Sequence, residues 1–273
     1  MKPIKKIAMF HSLCSVGKAS ITNMLPILST FGIECCPIPT ILLSTHTGGY
    51  GLPAKQITDP SFIIEAADHY KRNNVHFDMI FVGYLGNTTM VKAILYFLEK
   101  FPDTTVVLDP IMGDCGNLYQ NITSDYIDAY KKMLSYATII LPNITEACLL
   151  TEVPYRETLS TSDIKKIGEI LNTFGIQNSI ITSVCTESNN QSVALITQKN
   201  VEILEFQKEI NNFHGTGDVF DAVLIAHYLL GQDFDYCIKQ AHDYVIKTIR
   251  ESSQYDYDIR EGLLIEKTLS ILE

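Results

Sequence analysis

The chain contains no tryptophan, no Cys-x-x-Cys pair and no apolar run near the roughly 20 residues that span a bilayer. The short runs exclude a helical membrane protein, and the missing tryptophan removes the ring best suited to stacking on a sugar. The seven cysteines (14, 35, 36, 115, 148, 185 and 237) are odd in number and mostly embedded in apolar stretches. They read as reduced core thiols of a cytoplasmic protein, not as a disulfide framework or a metal knuckle. Basic residues are also scarce: 21 Lys and Arg against 31 Asp and Glu leave a net charge of −10, which argues against nucleic acid as a partner. No window supplies the GxxxxGK[ST] phosphate loop, since Ser15-Val16-Gly17-Lys18 is too short for it. The N-terminal Met1-Lys2-Pro3-Ile4-Lys5-Lys6 is followed by only about five apolar residues and no small-residue cleavage site, so it reads as the lead-in to a strand.

Present instead is ample core material, 46% hydrophobic over 273 residues, with no repeat, low-complexity tract or linker. One domain over 1–273 is the expectation. The apolar run Ile4–Phe10 predicts a first strand and Ser20–Phe31 a helix stopped at Gly32. Ile33–Leu43, with Pro37 and Pro39, suits exposed or edge strands. Further along, Ser61–Lys71, Thr88–Lys100, Asn143–Leu150 and Ser162–Phe174 read as helices. Between them Phe77–Val82, Thr104–Leu108, Ala137–Leu141 and Ser179–Ser183 read as strands. Val193–Thr197 and Val201–Phe206 suggest a hairpin, and three helices close the chain. Uninterrupted apolar strands alternating with helices imply an α/β fold with a mostly parallel sheet covered on both faces. Ligands in such folds bind beyond the carboxyl ends of the strands, where every polar motif of this chain falls.

The most informative motif is His214-Gly215-Thr216-Gly217-Asp218, followed by the apolar helix Val219–Ala226. Glycines around a threonine let successive N–H groups face one concavity, and a helix N-terminus favours an anion. Asp218 in that first turn could accept a hydrogen bond from a hydroxyl, so anion cradle plus carboxylate suggests phosphoryl transfer to an alcohol. In a chain this acidic, backbone N–H groups, a few lysines and Mg²⁺ must neutralise a nucleotide. Two acidic loops could share that metal: Asp109-Pro110-Ile111-Met112-Gly113-Asp114 and Pro142-Asn143-Ile144-Thr145-Glu146, although Asn143 and Glu146 also have the spacing of a helix capping box. Gly83-Tyr84-Leu85-Gly86 offers an aromatic that either stacks on a flat ring or fills the core. Ser44-Thr45-His46-Thr47-Gly48-Gly49-Tyr50-Gly51 reads as a flap that excludes water, or as a solvent loop.

In this order, Ser44-Thr45-His46-Thr47-Gly48, Gly83-Tyr84-Leu85-Gly86, the Asp109–Asp114 loop, Pro142-Asn143-Ile144-Thr145-Glu146-Ala147 and Gly215-Thr216-Gly217-Asp218 resemble the pyridoxal/pyridoxamine (vitamin B6) kinases of the ribokinase-like superfamily. The resemblance runs to Arg260-Glu261-Gly262, covering essentially the whole chain. It implies a three-layer α/β/α sandwich and an ATP- and Mg²⁺-dependent kinase acting on the 5′-hydroxymethyl group of pyridoxal, pyridoxine or pyridoxamine. Asp218 would be the base, with Gly215, Thr216 and Gly217 as the anion hole. Ser12, His46, Thr47 and Tyr84 would face the substrate ring. Asp109, Asp114, Asn143, Thr182 and Ser183 would attend the nucleotide, and Glu146, Asn143 and Asp109 the metal. Asp114 through Thr123 would form a flexible loop over the site. The resemblance also implies a homodimer built on Ile33–Leu43, each active site complete in one chain, and leaves a monovalent cation open.

Two departures fall on the ring side. The family's usual Asn-Asp-Leu-Ser-Gly is here His11-Ser12-Leu13-Cys14-Ser15, and Thr45 stands where Asn is common in the flap. Vitamer preference is therefore open, and a Cys115 thiol adding to the aldehyde of pyridoxal is one way to bias it. The alternatives are a hydroxymethylpyrimidine kinase, whose glycine motif usually ends in Cys instead of Asp, and a non-catalytic vitamer-binding protein, which would need no base.

Overall fold

The structure, a computed structural model, describes residues 4–185, 191–206 and 213–272. In chain order the elements are β1 (Lys6–Val16), α1 (Ile21–Thr30), β2 (Glu34–Thr45), β3 (Lys55–Ile57), α2 (Pro60–Arg72), β4 (Met79–Val82), α3 (Met90–Lys100) and β5 (Thr105–Leu108). They continue with β6 (Gly113–Asp114), β7 (Asn117–Leu118), α4 (Asp125–Leu134), β8 (Ile139–Ile140), α5 (Ile144–Thr151) and α6 (Thr161–Asn172). The last are β9 (Asn178–Cys185), β10 (Gln191–Thr197), β11 (Val201–Phe206), α7 (Thr216–Leu229) and α8 (Phe234–Ser252), followed by three 3₁₀ turns. Among the described residues no helix is long and apolar enough to cross a membrane.

These elements gather into two compact units, residues 1–79, 85–87 and 209–273 in the first and residues 80–84 and 88–208 in the second. In the first, the strand order is β1-β2-β3, with β1 and β2 parallel and β3 antiparallel to β2. α7 is buried on every side from Val219 to Ala226, as its unbroken apolar run requires. The ends of α1 and α7 meet through Phe31 and His227, ring centroids 4.9 Å apart. In the second unit the order is β11-β10-β9-β8-β5-β4. It is parallel through β5, β8 and β9 and antiparallel at β10 and β11. The α/β class with parallel strands at its centre is thus as the alternating pattern implied.

Several local expectations need correction. β1 runs past Phe10 to Val16, because after a register shift at His11/Ser12 the polar stretch goes on pairing with Ile41–Thr45. β2 is not a bare edge: β3 covers Ile41–Leu43, and Ile38, Ile41 and Leu43 are buried, leaving Leu42 (44% exposed) as its outstanding apolar side chain. The loop after Asp114 holds a small hairpin, Gly113–Asp114 against Asn117–Leu118. It is followed by helix α4, which was not anticipated. Two helices and three 3₁₀ turns, not three helices, end the chain.

Candidate active site

In the first unit the glycine motif opens α7. Gly215 is the N-cap at φ +81°, and no side chain caps this end. A β-carbon at Gly215 would sit 2.4 Å from Asn23 Nδ2 and 2.7 Å from the Lys18 carbonyl, so a glycine is required there. A β-carbon at Gly217 would meet nothing within 4 Å, so that side of the turn is open. The N–H groups of the first turn carry no side-chain cap, the arrangement that favours an anion.

Asp218 is held from two sides. Its Oδ2 accepts from the Ser20 amide at 2.6 Å, and its Oδ1 lies 3.1 Å from His11 Nε2. Ser12 joins the same group from below: its amide donates to His11 Nδ1 (2.8 Å) and its hydroxyl to Ser20 Oγ (2.7 Å). Ser12 is buried, so its hydroxyl is already committed, with acceptor capacity to spare. Burial pushes the neighbouring Cys14 thiol up to about 11, keeping it protonated.

The flap belongs to this unit too. His46 is buried, its Nδ1 accepting from the Gly48 amide (3.0 Å) and its Nε2 facing the Arg260 carbonyl at 2.6 Å, so both ring nitrogens are engaged by backbone. The His214 ring lies 4.8 Å away, and Arg260 stands over the Tyr50 ring at 5.2 Å. Burial, with His46 adding, lowers the pKa of His214. Thr47, next to this pinned histidine, is exposed.

The second unit carries the acidic loops. Asn143 caps α5: its Oδ1 accepts from the Glu146 amide (3.0 Å), while Glu146 Oε2 accepts from the Asn143 amide (2.8 Å), a complete capping box. The same two side chains also tie down the loop after β5. Glu146 Oε1 accepts from the Met112 amide (2.9 Å), and Asn143 Nδ2 donates to the Gly113 carbonyl (2.8 Å). Asp109 is buried and Asp114 exposed. The Thr182 amide donates to the Pro142 carbonyl at 3.0 Å, which sets Thr182 and Ser183 beside Asn143. Ser183 takes a left-handed φ of +58°. Tyr84 is half-buried. The Cys115 thiol is pushed up chiefly by the Asp114 carboxylate, which disfavours a nucleophilic thiolate there.

Burial drives the Glu146 carboxyl from 4.5 up to about 8, against the pull of the Met112, Asn143 and Gly113 amides and with Asp114 adding to the rise. A hard, hydrated cation such as Mg²⁺ would relieve a buried carboxyl whose ionisation is opposed by burial and by the Asp114 charge. Sequence reasoning missed Tyr130 here. This fully buried residue of α4 donates its hydroxyl to the Gly83 carbonyl (2.9 Å) and reaches the Ile111 carbonyl at 3.5 Å, pinning the loops after β4 and β5. The spacing of Tyr126, Ala129, Tyr130, Met133 and Leu134 was its available signal. His11, too, had been noted only as a departure from a motif.

The phosphomethylpyrimidine kinase family model matches residues 25–261. The chain belongs to this family. A Bacteroides thetaiotaomicron protein crystallised with pyridoxal is 32% identical, with a TM-score of 0.90 over 98% of this chain and 96% of that one. The pyridoxal kinase of Lactobacillus plantarum is 29% identical, with a TM-score of 0.89 over 98% and 96%. The fold is therefore ribokinase-like. A curated relative from Schizosaccharomyces pombe is 27% identical over 202 residues, 70% of this chain but 58% of its own length, so the chain spans less than two thirds of that relative.

Two outcomes follow from the geometry. Tyr130→Phe removes one buried hydrogen bond and should cost about 1–2 kcal/mol, read as a lower urea midpoint at unchanged slope. An unchanged midpoint would mean that the hydroxyl contributes nothing to holding these loops. For Glu146, whose native pKa lies above its unfolded value, the metal-free protein binds the proton more tightly when folded. Its contribution is fully present below pH 4.5 and is lost as pH rises through about 8. Wild-type melting temperature should thus fall more steeply over that window than that of Glu146→Gln, and Mg²⁺ should reduce the fall in wild type alone. Parallel curves would contradict this.

Proposed function

We propose that this family member is an ATP- and Mg²⁺-dependent kinase that phosphorylates the 5′-hydroxymethyl group of a vitamin B6 vitamer. The observation that carries the reading is Asp218, a carboxylate with both oxygens anchored, in the first turn of a helix whose N-terminus no side chain caps. Phosphoryl transfer asks for alignment and charge neutralisation more than for strong basicity. Asp218 orients the substrate hydroxyl and takes its proton late, while the amides of Gly215, Thr216 and Gly217 receive the phosphoryl oxygens. Asp109, Asp114, Asn143, Thr182 and Ser183 attend the nucleotide. Glu146, Asn143 and Asp109 would hold Mg²⁺, which when bound supplies positive charge against the phosphates.

On the ring side, Tyr84 stacks, Thr47 hydrogen-bonds, Ser12 offers an acceptor lone pair, and His46 keeps the flap in place. The B6 reading is favoured by Asp218, where pyrimidine kinases usually carry Cys, and by the Bacteroides relative's pyridoxal. The family name itself keeps hydroxymethylpyrimidine as the competing substrate. We further propose a single ribokinase-like domain, a homodimer on the β2 strand and, given seven free thiols, a cytoplasmic location.

Turnover of pyridoxal, pyridoxine, pyridoxamine and hydroxymethylpyrimidine, with Mg²⁺ and with EDTA, tests the proposal. A B6 vitamer should be phosphorylated only with Mg²⁺, and Asp218→Asn should slow the reaction by roughly 10²–10⁴. Turnover of the pyrimidine alone would transfer the protein to that substrate class. Gly217→Ala probes the cradle separately: a β-carbon there meets nothing in the fold, so melting should stay within about 1 kcal/mol of wild type. Activity should nonetheless fall on the order of 10²-fold, because the methyl group occupies the anion's place. Full activity in this variant would place the phosphates elsewhere.

A further inference from the structure

We propose that His11 is a positioning residue for the base, holding the Asp218 carboxylate in one orientation through a tautomer that the backbone enforces. The inference rests on the kinase reading above and deepens it. The Ser12 amide can only donate, and it points at His11 Nδ1 from 2.8 Å. Nδ1 must therefore accept, which puts the ring proton on Nε2. From there it donates to Asp218 Oδ1 at 3.1 Å. The contact sits where the β1–β2 register shifts: His11 pairs with Pro39 and Ser12 with Ile41, leaving Thr40 of β2 as the extra residue.

The imidazole is 0% exposed, so packing holds the ring while the hydrogen bond holds the carboxylate. The Ser20 amide, on a residue in the left-handed region at φ +61°, secures the other oxygen at 2.6 Å. Ser12 closes the circuit by donating its hydroxyl to Ser20 Oγ. Four residues from three segments thus form one hydrogen-bonded ring that includes the Asp218 carboxylate. Fixed at both oxygens, Asp218 keeps its remaining lone pairs for the substrate hydroxyl and need not reorganise during transfer.

Three variants and a spectroscopic measurement test this. His11→Leu keeps the volume and loses the donor, while His11→Gln restores an N–H at about the reach of Nε2. The expected result for His11→Leu is a kcat lowered on the order of 10²-fold, the usual cost of misplacing a reacting group by about 1 Å, with KM for ATP little changed. His11→Gln should recover most of the loss. Long-range ¹H–¹⁵N spectra of the wild-type protein should show His11 protonated at Nε2, with that resonance shifted in Asp218→Asn.

An unimpaired His11→Leu would overturn the inference, as would a His11→Gln as slow as His11→Leu, which would indicate packing alone. A spectrum showing the proton on Nδ1 would overturn it whatever the variants do. An inactive wild type would remove the kinase reading itself. An active wild type with a crippled Asp218→Asn and a normal His11→Leu would remove only the role of His11.

Discussion

The two-sided anchoring of Asp218 is the constraint on which the first unit's architecture turns. A carboxylate at a helix N-terminus is favoured by the dipole, but that field does not choose a rotamer. Rotamer choice comes from His11 and Ser20, and each is placed by a costly backbone feature. β1 breaks register between His11 and Ser12, and Ser20 adopts a φ of +61°, which side-chain-bearing residues seldom take. Gly215, at φ +81°, meets the same need without strain, because it lacks a side chain. Irregular backbone around one hydrogen-bonded circuit is consistent with a preorganised site, since strain persists only where its surroundings overdetermine it.

The second unit reaches rigidity by another route. Asn143 and Glu146 form an ordinary capping box, and by itself that needs no functional explanation. The extra bonds to Met112 and Gly113 make it more than a cap, because α5 and the loop after β5 can then only move together. Tyr130 extends the same coupling to the loop after β4. Structure and chemistry share side chains here: the burial that lets Glu146 bind two amides also raises its pKa and makes a nearby cation welcome.

Much of this was legible in the sequence, where the signals were local. Alternating apolar strands and helices implied the α/β class. The run Val219–Ala226 implied a helix buried all round, and Asn143 with Glu146 had the spacing of a cap. What escaped was set by distant partners. Nothing in His11-Ser12-Leu13-Cys14 marks a strand, and it becomes one only because Ile41–Thr45 lies alongside. α4 escaped for a different reason: its buried stripe relies on Tyr126 and Tyr130, whose hydroxyls make them read as polar, although their spacing is helical. His11 was visible as an oddity, but its meaning depends on Asp218, 207 residues away.

A net charge of −10 sharpens what the anion cradle must do. Lysines are poor candidates for the phosphates in the first unit, since Lys18, beside the glycine motif, pairs with Glu266 at 2.8 Å. Backbone amides avoid that competition: they carry no net charge for a carboxylate to neutralise, and they are fixed before the ligand arrives. The open space at Gly217 and the tight fit at Gly215 are then compatible parts of one turn: the first leaves room over the helix N-terminus and the second shapes the backbone. Asp218 places a negative charge beside these N–H groups. Anchoring both of its oxygens, one by His11 and one by the Ser20 amide, fixes where that charge sits relative to the helix N-terminus and which lone pairs stay open.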